Sequence, residues 1–340
     1  MINVGIVGVS GYTGQELIRI LLKHPKVKIS GLFSSSLYSK SIQEIYPEFS
    51  SQINLVCSKP DPDDIIKKCD LVFLALPHTH SMEIAAKLLK AGKSVIDLSA
   101  DYRIKDIKIF EEFYKHKHKD KPGVKESVYG LPELNRAKIK HARLVANPGC
   151  YPTAAILSLA PLIVNKLIDL NSIIIDAKSG VSGAGKKLAQ RLLSCEGRED
   201  FKAYKVGVHQ HTPEINQELS NLAGKKIKIT FVPHLLPINR GILETVYIKK
   251  TKRSKLKTKN IVNLFKKFYK DEPFVRIKKE GEFPNIKDVV GTNFCDIGIR
   301  DNSEQIILIC VIDNLLKGAS GQAVQNMNIM YKFGETTGLV

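Results

Sequence analysis

Residues 1–14 restrict the fold of this 340-residue chain more than any other stretch. They read M-I-N-V-G-I-V-G-V-S-G-Y-T-G: an apolar run from Ile2 to Val9 enters a glycine turn, and Q-E-L-I-R-I-L-L-K-H follows with apolar residues at helical spacing. Strand, glycine turn and helix in immediate succession open a nucleotide-binding βα unit. The glycines permit the tight turn and let a pyrophosphate approach the backbone, while the helix N-terminus offers N–H donors to it. Gly8, Ser10, Gly11, Tyr12, Thr13 and Gly14 are therefore candidate dinucleotide-binding residues. The G-x-x-G-x-x-G alone is a weak signal, and the flanking strand and helix give it weight.

The next expected strand, Lys26 to Phe33, ends in Ser34-Ser35-Ser36, with Lys40 close behind. An NAD site places Asp or Glu in this region to accept from the ribose 2′-hydroxyl, whereas hydroxyls and a cation suit the 2′-phosphate of NADP. Ser34, Ser35 and Lys40 join the candidate cofactor residues; the plain alternative is an ordinary polar loop. Further strands are expected at Asp70 to Leu76, Ser94 to Leu98 and Arg143 to Ala146, with helical patterns such as His80 to Lys90 between them. Continuous apolar strands alternating with helices predict an α/β fold, a Rossmann-type doubly wound parallel sheet. Two polar crossings, Pro77 to His80 and Ser99 to Arg103, fall at carboxyl ends of strands, where ligands bind in such sheets. Arg103 can fork onto a phosphate or carboxylate, or pair with Asp101 or Asp106.

Arg143 to Pro152 reads R-L-V-A-N-P-G-C-Y-P, and helical spacing follows from Thr153 to Val164, with Pro152 suited to the first turn. Cys150 is thus expected at a helix N-terminus, where the dipole and unpaired N–H groups favour a thiolate and can hold an oxyanion. It is a candidate nucleophile, against the alternative of one more buried thiol. The other cysteines (57, 69, 195, 295 and 310) look like core filler, and no spacing suggests a disulfide framework or a metal site. Unpaired cysteines, a strand at the first residues and no apolar run of bilayer length point to the cytoplasm.

Beyond Cys150 the pattern changes. A strand is expected at Ser172 to Lys178, then a second glycine-rich loop, Ser179 to Lys186, which lacks the G-K-[ST] of a P-loop. Thr212 is expected to cap, and Pro213 to open, a helix running to about Leu222. His209 and His211 stand just before it, at a spacing that puts both on one face of an extended segment. They are candidate acid–base groups, while His24, His116 and His118 look solvated. Alternating runs at Lys226 to Val232, Gly241 to Lys249 and Gln305 to Ile312, with a helix at Ile261 to Tyr269, predict a second α+β domain with a mixed or antiparallel sheet. Small residues from Lys317 to Met327 predict a closely packed helix that returns to the first domain. Composition is that of an ordinary soluble protein, at 43% hydrophobic and 25% charged. The formal charge of +18 comes from dispersed lysines without interleaved aromatics, which fits a solvated surface attracting anions better than a nucleic-acid site.

The motifs G-V-S-G-Y-T-G, A-N-P-G-C-Y-P-T, K-S-G-V-S-G-A-G-K, H-Q-H-T-P-E-I, F-V-P-H-L-L-P-I-N-R-G-I, G-T-N-F-C-D-I-G and D-N-L-L-K-G-A-S-G-Q-A-V-Q-N-M-N occur in that order. End to end they resemble the N-acetyl-gamma-glutamyl-phosphate reductases, relatives of the aspartate-semialdehyde dehydrogenases. The resemblance implies NADPH-dependent reduction of an acyl phosphate to an aldehyde in arginine biosynthesis, with Cys150 as nucleophile and a homodimer or homotetramer as the assembly. It adds Ser182, Gly183 and Asn314 to the cofactor candidates and gives Arg103, Asn147 and Arg240 as candidate substrate-binding residues. The expected partition is residues 1–149 plus 315–340 for NADP and 150–314 for catalysis and oligomerisation. Neither a membrane nor a nucleic-acid partner is expected. The competing readings are an aminoadipyl-phosphate reductase of lysine synthesis, with a free or carrier-borne substrate, a thiol hydrolase built on Cys150 and the histidines, and a nucleic-acid-binding scaffold.

Overall fold

The computed structural model describes residues 1–186, 200–251, 257–302 and 304–340. The chain divides into two compact units, Met1–Pro148 with Ala319–Val340, and Gly149–Gly318.

The first unit is built on a six-stranded parallel sheet. Its strands are β1 (Ile2–Val7), β2 (Val27–Phe33), β3 (Leu71–Leu74), β4 (Ser94–Asp97), β5 (Val128–Tyr129) and β6 (Leu144–Ala146), in the order β2-β1-β3-β4-β6-β5. Val4, Ile6, Val7 and the whole of Leu71–Leu74 are fully buried, as expected for strands covered by helices on both faces. The neighbours of β1 are β2 on one side and β3 on the other, so the glycine turn after β1 lies at the topological switch point. Helix Tyr12–Leu21 leaves this turn with Leu17, Ile18, Ile20 and Leu21 buried.

The C-terminal segment belongs to this same unit. Helix Gly321–Met330 is buried from Gly321 to Ile329 and packs on helices Tyr12–Leu21 and Pro132–Ile139, so the expected return is observed. Glycine and alanine on this helix let the backbones approach, and its polar side chains are used internally. The Asn326 amide donates to Gly130 O (2.8 Å) and Asn147 Oδ1 (3.1 Å), and Ser320 Oγ donates to Thr13 O (2.9 Å).

The second unit is a seven-stranded mixed sheet packed with helices. Its strands are β7 (Ile174–Gly180), β8 (Lys202–Ala203), β9 (Thr230–Leu236), β10 (Ile242–Lys249), β11 (Val275–Ile277), β12 (Cys295–Asp301) and β13 (Gln305–Ile312), in the order β11-β12-β13-β10-β7-β9-β8. β7 runs parallel to β9 and β11 parallel to β12, while the other neighbours are antiparallel. On β10, Ile242, Glu244, Val246 and Ile248 point to the core and the intervening residues point away, the period of two expected of a half-buried strand. One run was misplaced by sequence: the expected strand from Lys226 to Val232 lies instead at Thr230–Leu236. Lys226, Ile227 and Lys228 alternate as a strand would, but the pairing of β9 with β7 runs from Ile174↔Thr230 to Gly180↔Leu236. Among the described residues no helix is long and apolar enough to cross a membrane.

Candidate active site

Helix Cys150–Val164 is the core helix of the second unit. It is apolar on every side, and Tyr151 to Ile163 are all buried. Gly149, with φ −69° and ψ 157°, is its N-cap, and Cys150 is its first helical residue. The helix therefore begins earlier than Thr153, and Pro152 occupies the third position, still within the first turn where its missing N–H costs nothing. No side chain caps this terminus. The N–H of Gly149 instead donates to Glu214 Oε1 at 2.9 Å, and Thr153 Oγ1 donates to Gly149 O at 2.9 Å. Glu214 is itself fully buried, on the first turns of helix His211–Ala223, which packs along the cysteine helix. Sequence reasoning missed Glu214, because only its acidic character was visible and not its contact across 65 positions. Cys150 is half-buried, whereas Cys57, Cys69, Cys295 and Cys310 are buried; Cys195 lies outside the described residues.

The two histidines meet beside Tyr151. Ring centroids lie 5.6 Å apart for Tyr151–His209, 5.8 Å for Tyr151–His211 and 4.9 Å for His209–His211, with Phe231 and Tyr204 closing around His209 at 5.4 Å each. The segment is not extended. Gln210 is the N-cap, in the right-handed helical region, and His211 is the first helical residue, so the backbone turn brings the rings together. Thr212 consequently lies inside the helix and is not its cap. The capping contact comes from upstream: His209 Nδ1 accepts from His211 N at 3.1 Å, which leaves the His209 proton on Nε2. Burial, with the Lys205 charge second, pulls the His209 pKa down to about 4. The Tyr151 and Tyr204 phenols are pushed up, again chiefly by burial. Tyr204 donates to Tyr151 Oη, and Tyr151 donates to His234 O, each at 3.3 Å.

Ser182, Gly183 and Asn314 are also brought together in this unit. Asn314 Nδ2 donates to Ser182 Oγ (3.0 Å) and its Oδ1 accepts from Gly241 N (2.7 Å). A β-carbon on Gly183 would lie 2.9 Å from Ser179 Oγ and 3.7 Å from Asn314 Nδ2. Arg240 is paired with the fully buried Asp313, its Nη2 3.0 Å from Oδ2.

In the first unit the glycine turn can be tested for its fit to a dinucleotide. Gly8 has φ +101°, and a β-carbon there would fall 2.2 Å from Ala75 O; one on Gly14 would fall 2.4 Å from Gly8 O. These two glycines are demanded by the packing of the turn itself. Gly11 differs, because a β-carbon there meets nothing nearer than Gly8 O at 3.8 Å. It is the N-cap of helix Tyr12–Leu21 and no side chain caps that helix. The open side of the turn thus has the room and the donors that a pyrophosphate requires. Ser10, Tyr12 and Thr13 line it, half-buried. After β2, Ser34 is buried and its Oγ accepts from Ser36 N and Leu37 N, both at 3.3 Å, while Ser35 and Lys40 are exposed.

Arg103 and Asn147 sit together at the ends of β4 and β6 in this unit. Arg103 is buried and donates from Nε to Asn147 O and from Nη2 to Leu98 O, both at 2.7 Å. Asn147 is fully buried and its Nδ2 donates to Ala319 O at 3.1 Å. Asp106 caps the helix that follows it, and Asp101 accepts from Thr79 N (2.6 Å) and Ser81 N (2.9 Å). Burial first, and the Asp101 charge second, raise the Asp97 carboxyl well above the usual carboxylate range. Two histidines expected in solvent are buried here instead. His24 Nε2 donates to Asn328 Oδ1 (2.9 Å) and His118 Nε2 donates to Asp101 O (2.6 Å), partners distant in sequence that local lysines could not reveal.

Comparison with known proteins assigns both halves of the chain. Residues 3–142 match the semialdehyde dehydrogenase NAD binding domain and residues 150–314 the semialdehyde dehydrogenase dimerisation domain. An N-acetyl-gamma-glutamyl-phosphate reductase of Geotalea daltonii is 50% identical over 342 residues, covering 100% of this chain and 98% of that one. The reductase of the same description from Pelotomaculum thermopropionicum is 48% identical over 340 residues, covering 99% and 97%. Among solved structures, aspartate semialdehyde dehydrogenase II of Vibrio cholerae, complexed with ASA, aligns with a TM-score of 0.75 at 17% identity over 98% of both chains. The Candida albicans aspartate semialdehyde dehydrogenase with NADP gives 0.73 at 16% identity, over 97% of this chain and 98% of that one. These two show the common fold, and the half-identical relatives show more: the chain belongs to the semialdehyde dehydrogenase family, among its N-acetyl-gamma-glutamyl-phosphate reductases.

Proposed function

We propose that this chain reduces N-acetyl-L-glutamyl 5-phosphate to N-acetyl-L-glutamate 5-semialdehyde, with NADPH as reductant and release of phosphate, as a step of arginine biosynthesis in the cytoplasm. The observation that carries the reading is Cys150 at the first position of an uncapped, buried helix, its preceding N–H held by Glu214, on a chain half identical to reductases of that name.

The Cys150 sulfur attacks the acyl carbon, a C–S bond forms, the acyl C–O bond breaks and phosphate leaves with the electron pair, giving a thioester. Backbone N–H groups in the first turn, at Cys150 and Tyr151, stabilise the oxyanion of each tetrahedral stage. The nicotinamide, when bound, supplies the hydride. Collapse of the resulting hemithioacetal breaks the C–S bond and returns the sulfur as thiolate. His211 moves the proton. His209 is buried, neutral at working pH and committed through Nδ1 to the helix start, so it serves as an Nε2–H donor that orients substrate. Arg240, with its side chain 23% exposed, meets the substrate anion; in the first unit the buried Arg103 and Asn147 brace the loops after β4 and β6.

Residues Gly8 to Gly14 hold the pyrophosphate of the cofactor; in the second unit Ser182, Gly183 and Asn314 are the further cofactor candidates. Ser35 and Lys40, exposed beyond β2, favour NADP over NAD. The chain works as a homodimer or homotetramer; the cross-strand row Ile174, Tyr247 and Ile307 supports this, with Ile174 43% and Tyr247 36% exposed. A monomer by sedimentation velocity at working concentration would refute the assembly. The activity is tested in reverse, as phosphate-dependent oxidation of N-acetylglutamate semialdehyde with NADP. No NADPH formed, or formation independent of phosphate, rules the reaction out.

A further inference from the structure

Arg240 and the turn beside Cys150 are held by one carboxylate. Asp313 is fully buried at the end of β13. Its Oδ1 accepts from Leu315 N (2.8 Å), from Leu316 N (3.2 Å) and from Arg240 Nε and Nη2 (3.3 and 3.1 Å). Its Oδ2 accepts from Gly291 N (2.8 Å) and lies 3.0 Å from Arg240 Nη2. Its backbone oxygen accepts from Gly318 N, five residues on, at 3.0 Å, which fixes the wide π turn Leu316–Ser320. Gly318 in turn lies against Cys150: a β-carbon there would be 2.7 Å from Cys150 Cβ and 3.2 Å from Cys150 Cα.

We infer that Asp313 is a positioning residue of the reductase site, fixing with one side chain both the direction of the Arg240 guanidinium and the wall that Gly318 presents to the Cys150 nucleophile. Three features favour this over a role in stability alone. Three backbone N–H groups from two separate segments converge on the carboxylate, so neither segment can shift without losing a charge-assisted bond. The guanidinium is forked onto the same two oxygens, which sets its plane as well as its place. Arg240 is partly exposed while its partner is wholly buried, so the cation is presented outward from a fixed base.

This inference rests on the reductase reading for its kinetic test but not for its chemical one. The full-length Asp313→Asn variant keeps the size of the side chain, removes the charge and places a donor where one acceptor oxygen stood. The expected result is a KM for the acyl phosphate raised about tenfold or more, with NADPH affinity by fluorescence titration changed less than about threefold. Alkylation of Cys150 by iodoacetamide, followed on the Cys150 peptide by mass spectrometry across pH, should show a displaced profile. Asp313→Glu retains the charge but moves it by a methylene, and should fall between wild type and Asp313→Asn in both measurements. A wild-type KM and alkylation profile in Asp313→Asn overturns the inference. So does failure of both variants to fold, since the residue then serves folding alone. Wild-type protein without turnover would sink the reaction and leave the alkylation comparison standing.

Discussion

Gly318 and Cys150 are in backbone-to-side-chain contact so close that a β-carbon on Gly318 would sit 2.7 Å from that of Cys150, a separation real side chains do not adopt. Glycine is required here by proximity and not by backbone strain, since Gly318 is not among the glycines of positive φ. Gly318→Ala must therefore push the nucleophile or the turn aside by several tenths of an ångström. We expect folded protein with kcat lowered about a hundredfold, the scale set by misplacing a reacting group by an ångström or less. Turnover near wild type would show that the contact does not constrain the sulfur.

Replacing Cys150 by Ser should abolish turnover and leave NADPH binding intact, because a hydroxyl without a strong base is a poor nucleophile. Ala at Cys57, Cys69, Cys295 or Cys310 should retain kcat and lose on the order of 1 kcal/mol of stability each, as buried thiols acting as small apolar groups. Steady-state rates beside NADPH fluorescence titrations separate the two outcomes. A Cys150→Ser variant that turns over at a tenth of the normal rate or more would exclude the thioester.

The histidine pair should divide its labour. His211→Asn is expected to lower kcat by roughly a hundredfold or more, the usual share of general acid–base catalysis, with NADPH affinity unchanged. His209 has its pKa depressed by burial from 6.5 to about 4, so the unfolded chain takes up a proton at this residue before the folded one does. Its contribution to stability is present above about 6.5 and is lost as pH falls toward about 4. His209→Gln should flatten that part of the stability curve, measured as urea midpoints between pH 4 and 7. Equal kcat losses in both variants, with no change in acid stability, would contradict the division.

Much of the architecture was legible because parallel strands declare themselves: Leu71–Leu74 and Val95 to Asp97 are buried throughout. Cys150 was legible because a P-G-C-Y-P turn precedes an apolar helix. Local pattern failed wherever a partner is remote. His24 sits among polar neighbours, yet Asn328 and the terminal segment around Gly338 bury it. Glu214 and Asp313 looked like ordinary acidic residues at element ends, and their partners Gly149 and Arg240 lie 65 and 73 positions away. Thr212 has the composition of a cap, but His209 reaches the same helix end first. Even a correct motif did not say which of its polar groups remain free, as Ser34, closed into its own turn, shows.

Ser34 is 3% exposed and spent on the turn, whereas Ser35 is exposed and no carboxylate side chain occurs between Ser34 and Lys40. Ser35→Asp should lower the NADPH over NADH ratio of kcat/KM by about tenfold or more, since a carboxylate repels a 2′-phosphate and accepts from a 2′-hydroxyl. Ser34→Asp should instead cost stability, by breaking the turn. An unmodified enzyme that uses both cofactors equally would defeat the assignment.

The Glu244 carboxyl lies on the buried face of β10, opposite Ala177 of β7 and Cys310 of β13. It is fully buried, and among the described residues neither carboxylate oxygen has a hydrogen-bond partner. Burial raises its pKa well above 4.5, and the nearby Lys178 opposes this only in part. The folded protein therefore keeps the proton at pH values where the unfolded chain has released it. By linkage, the stability from this group is fully present below about 4.5 and is lost as pH rises through the folded pKa. Glu244→Met removes the titrating group and fills nearly the same volume with apolar atoms. Its melting temperature should exceed that of wild type at pH 8 by several degrees, on the order of 1–2 kcal/mol for a chain of this size, and the gap should narrow steadily toward pH 5. Parallel curves for the two proteins from pH 5 to 8 would mean that Glu244 is ionised and solvated in the fold.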